Sequence, residues 1–175
     1  MKAYEEHKHK APKKIKAMVI TASTSRYEKM LKKEKFEDES GSLIASKLKG
    51  KGHEVISMKL VNDDIGMIRE ELLKGAYFSD ADVIIINGGT GVSPRDVTIE
   101  AVEPLLEKKL EGFGEIFRRL TYEKLGSVAI MSRAKAGILN KKLVLCLPGS
   151  PDAVELGMSI IMDELTHIVY IAKGT

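Results

Sequence analysis

The sequence contains no tryptophan and no glutamine, and asparagine occurs only as Asn62, Asn87 and Asn140. Its one cysteine, Cys146, has no partner for a disulfide within the chain. The four histidines, His7, His9, His53 and His167, form no zinc-binding spacing. No apolar run approaches the roughly 20 residues that a helix needs to cross a bilayer. Met1 to Lys14 is basic and polar and lacks the apolar stretch of an export signal. A cytoplasmic location is therefore expected, with residues 1–14 as a flexible tail ahead of a single domain over residues 15–175. A strong excess of positive charge is missing too. The formal net charge of +3 argues against nucleic acid as the main partner. Few amides beside many lysines and glutamates is the balance that heat favours, so a thermophilic source is expected.

What is present suits a globular domain with a sizeable core: 175 residues, 43% hydrophobic and 30% charged. The mixed runs Lys32-Lys33-Glu34-Lys35 and Glu107-Lys108-Lys109 read as solvated faces. Apolar runs alternate with helical patterns, which predicts an α/β fold with a mainly parallel sheet and crossover helices. The predicted strands are Ile15 to Thr21, Glu54 to Val61, Asp82 to Asn87, Val128 to Met131 and Leu143 to Leu147. Asp82 to Asn87 has the unbroken apolar centre of a buried parallel strand.

Between these strands, Leu43, Ile44 and Leu48 predict one helix face ending near Gly50 and Gly52. Asp63 or Asp64 is a candidate cap for a helix with Ile65, Ile68 and Leu72 inward, and Gly75 is its candidate terminator. A helix is expected to start near Asp96 or Thr98 and to break at Pro104. Phe113 to Lys124 reads as helical. Ser150 caps a last helix with Pro151 in its first turn and Val154, Met158, Ile161 and Leu165 as its core stripe.

Two loops carry the chemistry. Gly88-Gly89-Thr90-Gly91 follows the central strand, where ligands collect in open α/β sheets. Glycines let several backbone N–H groups aim at one anion, Thr90 and Ser93 add hydroxyls, and Arg95 adds a fixed charge. Taken alone, such a loop also reads as a tight turn that binds nothing. It lacks the Gly-Lys-Ser/Thr of a Walker loop, and no GxGxxG follows the first strand, which disfavours a dinucleotide oxidoreductase. Pro148-Gly149-Ser150-Pro151 is the second loop, and its helix N-terminus favours anions. Asp63 and Asp96 each follow a strand. Each reads either as a helix cap or as one of two carboxylates suited to Mg²⁺ beside a polyphosphate.

Together these segments resemble the MoaB/MogA family of molybdopterin adenylyltransferases. Gly88 to Thr98 is similar to its GGTG…RDVT pattern. Ser132-Arg133-Ala134 with Ala136-Gly137 is similar to SRAxAG, Leu147 to Pro151 with Ala153-Val154 to LPGSPxAV, and Asp38, Ser40 and Gly41 to D-x-SG. Gly112-Phe113 with Glu115 resembles the GF/GL segment. The order holds from about Ile15 to His167. Asn62 stands where the family has proline, and Ile86-Asn87 where it commonly has Thr-Thr.

The resemblance implies a three-layer α/β/α sandwich and Mg²⁺-dependent transfer of AMP from ATP to the terminal phosphate of molybdopterin, on the way to a molybdenum or tungsten cofactor. It implies Asp63 and Asp96 as catalytic metal ligands. Gly88, Gly89, Thr90, Gly91, Ser93 and Arg95 would hold nucleotide phosphates. Ser132, Arg133, Pro148, Gly149 and Ser150 would face the pterin. It also implies a trimer or hexamer, with the downstream metal-insertion enzyme as a further partner. A molybdopterin-binding module without turnover is the alternative, and the pair Asp63 and Asp96 favours the enzyme.

Overall fold

The computed structural model describes residues 2–174; Met1 and Thr175, the outer ends of the expected tail and domain, lie outside them. Six strands form one sheet: β1 (Lys16–Ala22), β2 (Glu54–Val61), β3 (Val83–Asn87), β4 (Lys108–Lys109), β5 (Lys135–Leu139) and β6 (Lys142–Leu147). Their order is β2-β1-β3-β6-β5-β4. The first four in that order run parallel, whereas β5 lies antiparallel to β6 and to β4.

Successive residues of a strand face opposite sides, and both sides of this sheet are apolar. Ala17, Val19, Val83, Ile85, Leu143, Leu145 and Leu147 share a core with α3 (Glu39–Gly50), α6 (Glu111–Leu125), α7 (Pro151–Ile161) and α8 (Leu165–Lys173). Met18, Ile20, Ile84, Ile86, Val144 and Cys146 share the other core with α4 (Ile65–Phe78) and α5 (Thr98–Val102). The result is the expected three-layer sandwich. Each fully buried side chain such as Ile85 or Leu145 contributes about 1.5–3 kcal/mol relative to exposure. Burial pushes the Cys146 thiol up to about 12, which keeps it protonated and inert.

Several elements differ from the sequence-based expectation. The run Val128 to Met131 is not a strand; it lies in a 3-10 turn over Gly126–Met131. Its apolar side chains Val128, Ile130 and Met131 are exposed rather than laid on the sheet. The strand at this position is β5, whose pairing with β6 buries Ala136 and Ile138. Gly75 does not end α4, which continues to Phe78. It is a packing position instead, because a Cβ there would meet Met18 Sδ at 2.8 Å and Ile84 Cδ1 at 2.9 Å. The final helix is two helices, interrupted at Met162 to Glu164, although its apolar stripe is buried as expected.

Residues 1–14, expected as a flexible tail, contain α1 (Lys2–Lys10). The Tyr4 hydroxyl donates to Glu164 at 2.7 Å, and Lys8 pairs with Glu164 at 2.6 Å. The Tyr4 and His167 rings meet edge to face with centroids 5.1 Å apart. These contacts dock α1 on the start of α8.

Candidate active site

The parallel strands β1, β2, β3 and β6 end at one edge of the sheet. Thr21 is level with Asn87, and Asn87 with Leu147. The segments after all four therefore converge there. Gly88 donates its N–H to Leu147 O at 3.0 Å, and a Cβ on Gly149 would lie 3.1 Å from the Gly88 Cα. The glycine loop and the Pro148 to Ser150 loop are thus in direct contact, as a shared site requires.

Gly88 and Gly89 have φ of +89° and +65°, in the region that glycine tolerates. A Cβ on Gly88 would stand 2.2 Å from Ala22 O. These angles set up an unusual asymmetry of hydrogen bonding. Thr98 Oγ1 donates to Gly88 O at 2.8 Å and the Thr98 N–H to Gly89 O at 2.9 Å. Arg133 Nε donates to Thr90 O at 3.0 Å and its Nη2 to Gly91 O at 2.5 Å. All four carbonyls are taken. Among the described residues, the N–H groups of the same four peptide units, on Gly89, Thr90, Gly91 and Val92, donate to no protein acceptor. A run of free, fixed N–H groups is a cradle for an anion.

The two acids flank this cradle. Asp63 Oδ2 accepts from both the N–H and the hydroxyl of Thr24, each at 2.8 Å. Thr24 begins α2 (Thr24–Leu31), so Asp63 ties the end of β2 to the segment after β1. Its Oδ1 faces Gly89. Asp96 Oδ2 accepts from the Ser93 N–H at 3.0 Å and lies beside Gly91.

Neither acid caps a helix. Asp64 is the cap of α4, accepting from the Met67 N–H, and α5 has no side-chain cap. Among the described residues no cluster of three or more His, Cys, Asp or Glu is placed to hold a metal ion. Two carboxylates are nevertheless a usual protein share for Mg²⁺, whose other ligands are phosphate oxygens and water. Asp63 Oδ1 and Asp96 Oδ1 accept no hydrogen bond among the described residues, so the donor set fits that ion.

A cavity of about 650 Å³ opens in front of the cradle. Gly88, Gly89, Thr90, Gly91, Asp96, Ser132, Pro148, Gly149 and Ser150 are on its wall. The Ser132 Oγ is buried there with no hydrogen-bond partner among the described residues. Ser150 caps α7 by accepting from the Ala153 N–H at 3.3 Å, with Pro151 in the first turn. Ser40 Oγ donates to Gly149 O at 2.6 Å and fixes that loop from α3. Behind it, Asn87 Nδ2 donates to Thr21 Oγ1 at 2.9 Å, and Thr21 Oγ1 to Asp38 Oδ2 at 2.6 Å.

Other expected residues are placed differently. Ser93 and Arg95 are exposed on the outer side of the loop and do not line the cavity. Asp63 sits behind Gly89 rather than on the wall. Arg133 does not face the cavity either; it is spent on loop carbonyls and on Glu100, whose carboxyl it holds below the usual range. Sequence reasoning missed the apolar wall of Phe117, Leu125, Val128, Met131 and Leu156, and Lys124 at the end of α6. Thr98 reads from the sequence as a candidate helix start, which it is, but not as the residue that holds the loop carbonyls.

A family model described as a probable molybdopterin binding domain matches residues 18–167. This chain belongs to that family, within its MoaB/MogA branch. The molybdenum cofactor biosynthesis protein B of Bacillus cereus is 44% identical over 167 residues, covering 94% of this chain and 95% of the relative. The molybdopterin adenylyltransferase of Pyrococcus furiosus is 43% identical over 173 residues, covering 97% and 98%. The solved structure of the tungsten cofactor synthesizing protein MoaB from Pyrococcus furiosus superposes with a TM-score of 0.78 at 40% identity, covering 93% of this chain and 99% of that one. The MoaB/MogA sandwich thus carries the converging loops described above.

Proposed function

We propose that this chain is a molybdopterin adenylyltransferase of molybdenum or tungsten cofactor synthesis. It transfers AMP from ATP to the terminal phosphate of molybdopterin. A pterin phosphate oxygen attacks the α-phosphorus, the α–β phosphoanhydride bond breaks, and pyrophosphate leaves. The carrying observation is the cradle of four N–H groups with all four carbonyls tied back, flanked by Asp63 and Asp96.

Phosphoryl chemistry asks the protein mainly to position groups and to stabilise charge on phosphate oxygens. The cradle does this for the nucleotide phosphates, with no reorganisation during reaction. Mg²⁺, held by Asp63 and Asp96, would supply further neutralisation of the polyphosphate when bound. Ser132 and the Pro148 to Ser150 loop hold the second substrate across the cavity, where the α7 N-terminus favours its phosphate. The apolar wall of Phe117, Leu125, Met131 and Leu156 suits a flat heterocycle and excludes water.

The chain assembles into a trimer or a dimer of trimers on this reading, and the metal-insertion enzyme receives its product. Light scattering tests the assembly, and a strict monomer at all concentrations contradicts it. The reaction itself is tested by pyrophosphate release from ATP. Release that requires both molybdopterin and Mg²⁺ supports the assignment; a protein that binds the pterin but releases no pyrophosphate is a binding module instead.

A further inference from the structure

The peptide unit is planar and trans, so its C=O and N–H point in opposite directions. Whatever captures the carbonyls of a loop therefore aims the N–H groups away from itself. In the cradle that capture is divided between two residues. Thr98 holds Gly88 O and Gly89 O from within the same loop and helix. Arg133 holds Thr90 O and Gly91 O from a distant part of the chain, 42 or 43 positions on. Its Nη2 also reaches Asp96 O at 3.4 Å. The other side of the guanidinium is clamped by Glu100, through Nη1 to Oε1 and through Nη2 to Oε2 at 3.3 Å.

Every nitrogen of Arg133 is thus engaged within the protein. The side chain approaches the loop from the side opposite the free N–H groups, and it does not line the main cavity. A guanidinium does this where an ammonium cannot, because its planar fork serves several acceptors in fixed directions. Glu100 matters for the same reason. It lies on α5, one turn after the loop, and fixes the fork against the helix that the loop leads into.

We propose that Arg133, anchored on Glu100, is a positioning residue: it sets the loop from Gly88 to Asp96, turning the Gly91 and Val92 N–H groups toward the bound polyphosphate and seating Asp96, without touching the ligand itself. This rests on the reading of the cavity as a nucleotide site. The family resemblance instead implies Arg133 at the pterin.

Two measurements on Arg133→Lys and Glu100→Gln test it. The first is the amide spectrum of each variant with no ligand added. Resonances of Gly89, Thr90, Gly91 and Val92 should shift or broaden, while those of the β3 and β6 strands stay in place. The second is titration with MgATP, together with the kcat and KM of adenylyl transfer. Arg133→Lys should bind MgATP on the order of tenfold more weakly, as expected for losing charge-assisted bonds. Its kcat should fall as well, because Asp96 is displaced. Glu100→Gln should move the same amides and weaken binding by a smaller factor. It alters an exposed carboxylate, so it stays folded and decides the matter if Arg133→Lys does not fold.

Ligand-free amides that stay unmoved in a folded variant overturn the proposal. If affinity is then lost all the same, Arg133 contacts the ligand directly. If affinity is retained, it does neither task. A wild-type protein that fails to bind MgATP sinks the nucleotide reading instead, and the ligand-free spectra still report whether Arg133 sets the loop.

Discussion

Gly89 and Asp63 approach more closely than a side chain on Gly89 would permit: a Cβ there would stand 2.9 Å from Asp63 Oδ1 and 2.5 Å from Thr98 Oγ1. The acid and the threonine that shapes the loop thus press on one backbone position, which is also held at φ +65°. Gly89→Ala should therefore strain the backbone and push both neighbours out. The expected cost in stability is about 1–2 kcal/mol, with loss of nucleotide binding well beyond what that cost explains. Thermal unfolding and MgATP titration of the variant check this. Normal binding in Gly89→Ala would contradict the close packing of loop and acid.

Ser40 offers a separate test of the second loop. Its hydroxyl donates to Gly149 O at 2.6 Å, and Ser40 is fully buried. Removing it leaves that carbonyl short of a partner, a loss of about 1–3 kcal/mol. Ser40→Ala should lower the melting temperature by a few degrees, at roughly 2–4 °C per kcal/mol for a domain of this size. Its KM for the pterin should rise more than its KM for ATP, because the proposed mechanism puts Gly149 on the pterin side. An equal rise for both substrates contradicts that division.

The docking of α1 should depend on pH. Hydrogen bonding to Lys8, then to His167 and Tyr4, lowers the Glu164 carboxyl from 4.5 to about 2. A carboxyl lowered on docking stabilises the docked state above its ordinary value and stops doing so as pH falls through the lowered one. Protection of the Lys2–Lys10 amides against hydrogen exchange should therefore decline as pH drops from about 4.5 to about 2. The effect is small, since the pair is partly exposed and screened by solvent. Unchanged protection down to pH 2 contradicts the role of Glu164.

The layers of the fold were legible because both sheet faces are apolar. Asp82 to Asn87 read as a buried strand from its unbroken apolar centre, and Ser150-Pro151 as a helix start from its cap and first-turn proline. Val128 to Met131 misled for a physical reason: its apolar side chains serve the cavity wall and the surface, not the sheet. Gly75 misled because a glycine that ends a helix and one that lets a helix approach a sheet look alike in sequence. At the site, the residues on the two loops were legible from their glycines and prolines. The tasks of Arg133 and Thr98 were not, because both act on backbone carbonyls brought near only by folding. The docking of α1 was not legible for the same reason, because its partners Glu164 and His167 lie some 160 positions away.

The central claim is adenylyl transfer supported by Asp63 and Asp96, and product analysis tests it most directly. Wild type, Asp63→Asn and Asp96→Asn would each be incubated with molybdopterin, ATP and Mg²⁺, and the pterin analysed by mass spectrometry. Asparagine can still accept the bonds from Thr24 and Ser93, so both variants should fold and bind the pterin. The account predicts adenylylated molybdopterin from the wild type and a loss of about 10²-fold or more in each variant. Full adenylylation by both folded variants, or pterin that leaves the wild type unmodified, would contradict it.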